Sequence, residues 1–343
     1  MLRIALTADP ELPVPPRLYG GIERIIDMLA RGLVERGHEV TLFAHGGSQS
    51  AGQLIPWPGK SSRSRTDTLR NSIVLAAHVA RGRFDLVHSF SRIAYLTPIL
   101  PLRLPKLMTY QREISPATVK LGHTLSRGSL GFTAISDWMM REVRNIGHWD
   151  MVPNGVQLQT YHFRDTVAPD APFVFLGRME EIKGPHLAVE IARRIGRRLI
   201  IAGNVPVDKQ AWAEMHVFPQ VDGKRVTYLG PVDDAQKNAL LGKAAALLMP
   251  ILWDEPFGIV MAEALACGTP VLGLRRGAVP EVVDDGVTGF VRDTLEELVV
   301  LAAKLGSLKR SACRSAVEAR YSEKIVVEAY IKAYQRAIAR QSN

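Results

Sequence analysis

Residues 21–44, G-I-E-R-I-I-D-M-L-A-R-G-L-V-E-R-G-H-E-V-T-L-F-A, decide the fold. Ile22, Ile25, Ile26, Leu29 and Leu33 recur at the three- and four-residue spacing of one helix face, which predicts a helix over 21–36 that stops at Gly37. Glu39–Ala44 then reads as a strand. An apolar run at 2–6 precedes the helix, so the chain opens strand, helix, strand, a βαβ unit whose crossover is right-handed. Working outward, the runs at 84–87, 107–110 and 131–135 add strands to the same sheet. The runs Phe173–Leu176, 198–202, 226–229, 245–249 and 270–272 repeat the alternation. Asn154-Gly155 and the polar stretch 165–172 interrupt the pattern, and 343 residues are ample for two cores. The fold class is α/β, with two doubly wound parallel sheets in Rossmann-like domains.

Residues 253–272, W-D-E-P-F-G-I-V-M-A-E-A-L-A-C-G-T-P-V-L, carry the chemistry. Glu255 precedes a helix that Gly258 opens, Glu263 lies inside it, and Gly268 takes the C′ position. Free N–H groups at a helix N-terminus attract anions, and carboxylates accept hydrogen bonds from hydroxyls; together they suit a sugar carrying a phosphate. The plainer reading makes Glu255 a helix-dipole partner and Glu263 a solvated residue. Met261, Ala262, Ala264, Leu265 and Ala266 around Glu263 argue for burial, and a buried carboxylate needs a donor. Upstream, Phe173–Leu176 runs into G-R-M-E-E-I-K-G at 177–184. Arg178 and Lys183 thus stand at the carboxyl end of a strand, where open α/β sheets bind ligands. A guanidinium forks onto phosphate oxygens and an ammonium supplies a compact charge.

These segments resemble the retaining glycosyltransferases of family 4, whose two Rossmann-like domains face each other across a cleft in the GT-B arrangement. G-R-x(4)-K-G at 177–184 and E-x(7)-E at Glu255 and Glu263 are joined by Y-G-G-I-E-R at 19–24 and V-P-N-G-V at 152–156. V-T-Y-L-G-P-V at 226–232 and G-A-V-P-E-V-V-D-D-G-V-T-G-F-V at 277–291 follow in the same order. The resemblance implies an acceptor-binding domain at 1–157 and a donor-binding domain at 158–321, with the C-terminal helix at 322–343 packing back on the first. It implies a nucleotide-diphosphate sugar as donor, with UDP preferred, and a hexosyl transfer of the EC 2.4 class with retention of configuration. Arg178 and Lys183 would neutralise the diphosphate, Glu263 would receive the ribose hydroxyls, and Glu255 would touch the sugar. Main-chain atoms of Phe257, Gly258 and Ile259 would hold sugar and phosphate oxygens, Val232 would meet the base, and Gly21 would close on the diphosphate from the first domain. Glu255, Lys183 and Arg178 are then the catalytic set, because negative charge builds on the departing diphosphate and positive charge on the anomeric carbon.

The chain departs from the family in two places. Many relatives carry T-x-H after the strand at 106–110, whereas this chain reads Thr109-Tyr110-Gln111-Arg112, so Gln111 takes the place near the transferred sugar. Gln157 follows N-G-V where an aspartate is common. His88 ends the run 84–87 and is expected to point towards the same region. Two other readings share the architecture. A nucleotide-sugar epimerase would isomerise donor without an acceptor, and a non-catalytic nucleotide-sugar-binding protein would bind donor without turnover. A dehydrogenase would carry G-x-G-x-x-G after its first strand, in place of A-D-P-E-L-P-V-P-P-R-L-Y-G-G.

The formal net charge of +9 is uneven: residues 1–157 hold 19 Lys and Arg against 12 Asp and Glu, leaving +7 there and +2 elsewhere. Lys60, Arg63, Arg65, Arg70, Arg81 and Arg83 meet only Asp67 across 60–83. One reading is a solvated face with a mobile loop at 57–65; the other is attraction to an anionic acceptor or to acidic lipid head groups. Aromatics do not interleave with the run, which argues against nucleic acid. The acceptor candidates are a lipid-linked intermediate, a polysaccharide end or a small metabolite. Cys267 and Cys313 make neither a disulfide framework nor a metal spacing, and no H-E-x-x-H occurs, so neither metal nor cofactor is expected. The opening M-L-R-I-A-L-T-A-D-P shows no signal-peptide pattern, and no apolar run approaches the roughly 20 residues that span a bilayer. A cytoplasmic protein is expected, with peripheral contact at the inner face of the membrane compatible with its basic first domain.

Overall fold

The computed structural model describes residues 1–18, 20–82 and 84–342. Tyr19 of the Y-G-G-I-E-R segment and Arg83 of the basic run lie outside the described residues. The chain divides into two compact units, Met1–Gly155 with Glu323–Asn343, and Val156–Ser322.

Unit 1 contains β1 (Arg3–Thr7), α1 (Gly21–Glu35), β2 (Glu39–Ala44), β3 (Gln53–Pro56), α2 (Arg65–Ala80), β4 (Leu86–Ser89) and β5 (Lys106–Tyr110). It continues with α3 (Pro116–Ser126), β6 (Leu130–Ala134), α4 (Asp137–Met140) and β7 (Trp149–Met151). All seven strands are parallel, in the order β3-β2-β1-β4-β5-β6-β7. The order reverses between β1 and β4, which makes the carboxyl ends of those strands the switch point of the sheet. Helices cover both faces of a parallel sheet, so Ile4, Leu6, Leu42, Phe43, Leu107 and Phe132 are all buried. Ile25, Ile26, Leu29 and Leu33 of α1 are buried as their spacing predicts, whereas Ile22 is only half-buried.

The C-terminal helix, Glu323–Ser342, packs on α1 at Gly32, where an added Cβ would stand 2.6 Å from Val327. It also corrects the reading of His88. Arg3 holds the Asp85 carboxylate through its main-chain N–H at 2.8 Å and its guanidinium at 2.9 Å, and β4 starts after that pair, two residues later than the apolar run suggests. His88 is therefore inside the strand and fully buried, with Nδ1 2.7 Å from the Tyr334 hydroxyl and Nε2 2.6 Å from Thr109 Oγ1. Burial pushes its pKa down to about 3, so the ring is neutral. It latches the C-terminal helix to the sheet rather than facing open space.

The loop at 57–65 is likewise held rather than free. The Trp57 indole donates to the Ala8 carbonyl at 2.7 Å, Gly59 N–H donates to Asn71 at 2.8 Å, and the Lys60 and Ser61 N–H groups donate to Asp67 at 3.0 and 3.1 Å.

Unit 2 contains β8 (Phe173–Leu176), α5 (Pro185–Ile195), β9 (Leu199–Ala202), α6 (Gln210–His216), β10 (Val226–Tyr228), α7 (Asp234–Lys243) and β11 (Ala246–Met249). Then come α8 (Ile259–Ala266), β12 (Val271–Leu274), α9 (Val279–Val282), β13 (Gly289–Arg292), α10 (Leu295–Ala302) and α11 (Arg310–Arg320). Its six strands are parallel in the order β10-β9-β8-β11-β12-β13, with the switch point between β8 and β11. Phe173, Phe175, Ile201, Leu248 and Leu272 form its core. Arg310 of α11 is buried, and among the described residues no carboxylate pairs with it. Its guanidinium donates to the carbonyls of Arg164, Ala244, Gly242 and Cys267 and to Thr269 Oγ1, fastening three chain segments together.

Candidate active site

The exits of β8 and β11 meet at the switch point of unit 2, and glycines allow the approach. Gly184 adopts φ 73°, and a Cβ there would stand 2.0 Å from the Pro250 carbonyl just beyond β11. The Leu252 N–H donates to the Ile182 carbonyl at 2.9 Å, tying the two exits together. On the other side Gly277, at φ 55°, leaves no room for a Cβ, which would be 2.4 Å from the Glu255 N and O atoms. The Ala278 N–H donates to the Glu255 carbonyl at 2.8 Å and the Gly277 N–H to the Asp254 carboxylate at 3.0 Å. The main chain at Glu255 is thus clamped before its side chain is considered.

The clamp brings Lys183 and Glu255 into contact. Lys183 Nζ donates to Glu255 Oε2 at 2.6 Å, and the Trp253 indole N–H donates to the same oxygen at 3.0 Å. The ammonium lies 4.3 Å from the centroid of the Trp253 ring. Glu255 is 8% exposed, so this is a desolvated pair whose members need one another. Arg178 reaches Glu180 at 2.6 Å; the Glu180 side chain is 8% exposed and that of Arg178 35%, so the guanidinium is the more open partner.

Glu263 is 3% exposed inside α8, which settles its burial against the solvated alternative. Its Oε1 accepts from the Tyr161 hydroxyl at 2.6 Å and from Lys237 Nζ. Lys237 also pairs with Asp234 at 3.3 Å and sits 5.5 Å from the Tyr161 ring centroid. Among the described residues nothing donates to Oε2. The α8 N-cap, Gly258 at φ 73°, has no side chain with which to cap the first turn, leaving the Ile259 end of the helix suited to an anion. Phe257 beside it is buried, edge-on to Tyr321 at 5.4 Å.

The remaining sequence candidates are more scattered. Val232 follows Gly230 after β10 and lines a cavity of about 800 Å³ with Ile200, Leu229 and Leu240. Gly21 opens α1 in unit 1, behind Gly20 at φ 147°. Gln111 and Asn154, also in unit 1, exchange amide hydrogen bonds of 2.8 and 2.9 Å, so both ends of the Gln111 amide are engaged. Cys267 and Cys313 are buried free thiols, pushed up to about 12 chiefly by burial. Sequence reasoning missed Tyr161, Lys237, Trp253 and Glu180. Trp253 and Glu180 were legible as neighbours of chosen residues, whereas Tyr161 lies 102 positions from Glu263 with no local signal.

Comparison with known proteins places both halves of the chain. A model described as Glycosyltransferase Family 4 matches residues 19–160, and one described as Glycosyl transferases group 1 matches residues 171–308. The chain is 27% identical to the phosphatidyl-myo-inositol mannosyltransferase of Mycolicibacterium smegmatis, over 94% of this chain and 89% of the relative. It is similar to the crystal structure of AviGT4, a glycosyltransferase involved in avilamycin A biosynthesis, with a TM-score of 0.76 and 25% identity over 99% of this chain and 98% of that one. The Anabaena protein HepE, solved in complex with UDP and glucose, shares the fold at a TM-score of 0.74 and 17% identity, over 98% of this chain and all (100%) of that one.

Proposed function

The chain belongs to the family 4 glycosyltransferases, and from that membership we propose that it moves a hexosyl group from a nucleoside-diphosphate sugar to a hydroxyl acceptor with retention of configuration. The observation that carries the reading is the Lys183–Glu255 pair at the switch point of unit 2, with Arg178 in the same turn. A cation already desolvated against a carboxylate is preorganised for the charge that develops on a departing diphosphate. Lys183 and Arg178 take the phosphate oxygens, and the α8 N-terminus at Phe257, Gly258 and Ile259 supplies main-chain donors. Glu255 then turns to the sugar, where it binds a hydroxyl and steadies positive charge at the anomeric carbon.

Glu263 receives the ribose hydroxyls on Oε2, the oxygen left open by Tyr161 and Lys237, which act as positioning residues for it. Val232 lines the hollow assigned to the base. Two side-chain cations and a helix terminus handle the leaving group in this reading, so turnover needs no metal and no cofactor. UDP is the nucleotide of choice, a preference supported by the UDP complex of HepE. The acceptor is placed in unit 1, and the protein is assigned to the cytoplasm at the inner face of the membrane. Among the described residues no helix is long and apolar enough to cross a membrane.

The test is turnover of a panel of UDP, GDP and ADP sugars with and without sugar, polyol-phosphate and lipid-linked acceptors, with the anomer of each product read by NMR. Transfer with retained configuration from a UDP sugar is expected, undiminished by a chelator. An isomerised donor without acceptor would make the protein an epimerase, and tight donor binding without turnover would make it a sensor.

A further inference from the structure

Unit 2 carries a groove on the face of its sheet that α5, α6 and α10 leave bare. Leu199, Ile201 and Val226 point into the core beneath those helices. The alternating positions therefore face the other way: Arg198 just before β9, Ile200 within it and Leu229 just after β10. α7 crosses that side from the exit of β10 to the entry of β11, and Gln236, Ala239, Leu240 and Lys243 recur on its face towards Ile200. Between helix and strand the cavity of about 800 Å³ stays open, with Val232 at one end. Its floor is apolar, since Ile200 is half-buried and Leu229 is 48% exposed.

Most of the lining lies at the amino ends of the strands. Arg198 immediately precedes β9, Ala171 and Pro172 precede β8, and Gly242 and Lys243 end α7. The switch point of an open sheet takes its ligand at the carboxyl ends, so this half of the cavity stands apart from the exits that bear Lys183 and Glu255. The outer wall, residues 164–172, is held from behind. Arg310 donates to the Arg164 carbonyl at 2.7 Å, Arg197 to the Ala171 carbonyl at 2.7 Å, and the Ala245 N–H to the Pro172 carbonyl at 2.8 Å. The wall cannot settle onto Ile200 without breaking these bonds, so the groove keeps its width. Three cations, Arg164, Arg198 and Lys243, meet one acid there, Asp170, which Arg198 already holds at 3.0 Å. Among the described residues no acid pairs with Arg164 or Lys243. The Arg164 stem lies along the last turn of α7, where a Cβ on Gly242 would stand 3.1 Å from its Cδ. A positive mouth on an apolar floor selects an anion with an apolar body.

We infer that the amino end of this groove is a second ligand site, which takes a short acyl carboxylate, with the carboxylate on Arg164 and Lys243 and the chain on Ile200, Ala239 and Leu240. The groove follows β9 and α7 lengthwise, which suits an extended chain. From Lys243 to Gln236 is two turns of α7, roughly 11 Å, the reach of octanoate, and a chain of that length leaves the Val232 end to the base. Binding here stands independently of the glycosyl-transfer reading.

Octanoate, and octanol as its uncharged counterpart, are titrated by calorimetry into the full chain, A239F, R164Q/K243Q and K304Q/K309Q. The last is an exposed pair of unit 2 that carries the same charge change outside the groove. Ala239 is exposed, so a phenyl ring there fills the groove without entering the core, and thermal melts without ligand check that each variant folds. A239F is expected to abolish octanoate binding, and K304Q/K309Q to bind like the parent. R164Q/K243Q is expected to weaken binding about five-fold, as loss of two exposed charge contacts does. Octanol should bind the parent more weakly than octanoate, and UDP should bind equally with and without saturating octanoate. No octanoate binding by the parent, undiminished binding by A239F, equal behaviour of the two double variants, or octanol binding as tightly as octanoate overturns the inference. Displacement of octanoate by UDP overturns it as well, by making the groove part of the donor site. Failure of UDP to bind at all would sink the donor reading and leave the octanoate result standing.

Discussion

At the residue scale, unit 2 matches its cations to acids. Lys183 is held by Glu255, Arg178 by Glu180 and Lys237 by Glu263; in the function proposed above, Lys183 and Arg178 exchange these carboxylate oxygens for those of the diphosphate. Replacing Lys183 by Ala is expected to lower turnover at saturating donor by on the order of 10² to 10³, the usual cost of removing one preorganised donor to a leaving group. Steady-state kinetics together with circular dichroism separate that effect from misfolding, and unchanged turnover would contradict the assigned role. Tyr161→Phe should raise the donor KM more than it lowers kcat, and should blunt the preference for UDP over 2′-deoxy-UDP, because it loosens Glu263 without touching the phosphates. Equal discrimination in parent and variant would remove Tyr161 from the site. Asp9 yields a pH prediction. Burial raises its carboxyl from the ordinary 3.8 to about 6, so its contribution to stability is fully present below about pH 4 and is lost as pH rises through 6. Asp9→Asn should therefore raise Tm at pH 8 and leave it unchanged near pH 4.

At the element scale, two side chains fasten whole segments. Arg310 satisfies four carbonyls and one hydroxyl from the ends of α7 and α8 and from the stretch before β8. Arg310→Met should cost about 2–4 kcal/mol in urea unfolding, because several buried acceptors lose their donor at once; a cost below about 1 kcal/mol would show that water replaces it. His88 fastens the C-terminal helix through Tyr334. Its pKa is lowered from 6.5 to about 3, so the stability it contributes is present above about pH 6.5 and is lost as pH falls towards 3, where the unfolded chain takes up the proton and the folded core refuses it. His88→Asn should flatten the fall in Tm between pH 7 and 4, and parallel curves for parent and variant would refute the latch. These elements also mark what the sequence could reveal. β1, β5, β8 and β11 are covered on both faces and so stand out as apolar runs. β3 (Q-L-I-P) and β7 (W-D-M) lie at sheet edges, and β13 opens on a glycine; short and mixed, they left no such trace.

At the scale of the molecule, each unit carries one switch point, and both follow from strand order. The order itself was only partly legible: the βαβ rule orients each neighbour, but nothing local says that β4 returns beside β1 or β11 beside β8. The carboxylates of E-x(7)-E and the cations of G-R-x(4)-K-G were readable because each sits in one continuous segment. The Lys183–Glu255 contact spans 72 positions and the Tyr161–Glu263 contact 102; such neighbours are products of folding, visible only once the sheets are assembled. Calorimetric titration of UDP into the parent, Arg178→Ala and Lys183→Ala proteins reads out whether these two cations hold the diphosphate. Binding to the parent and about ten-fold or greater weakening in each variant are expected. Equal affinity in all three proteins would contradict this assignment.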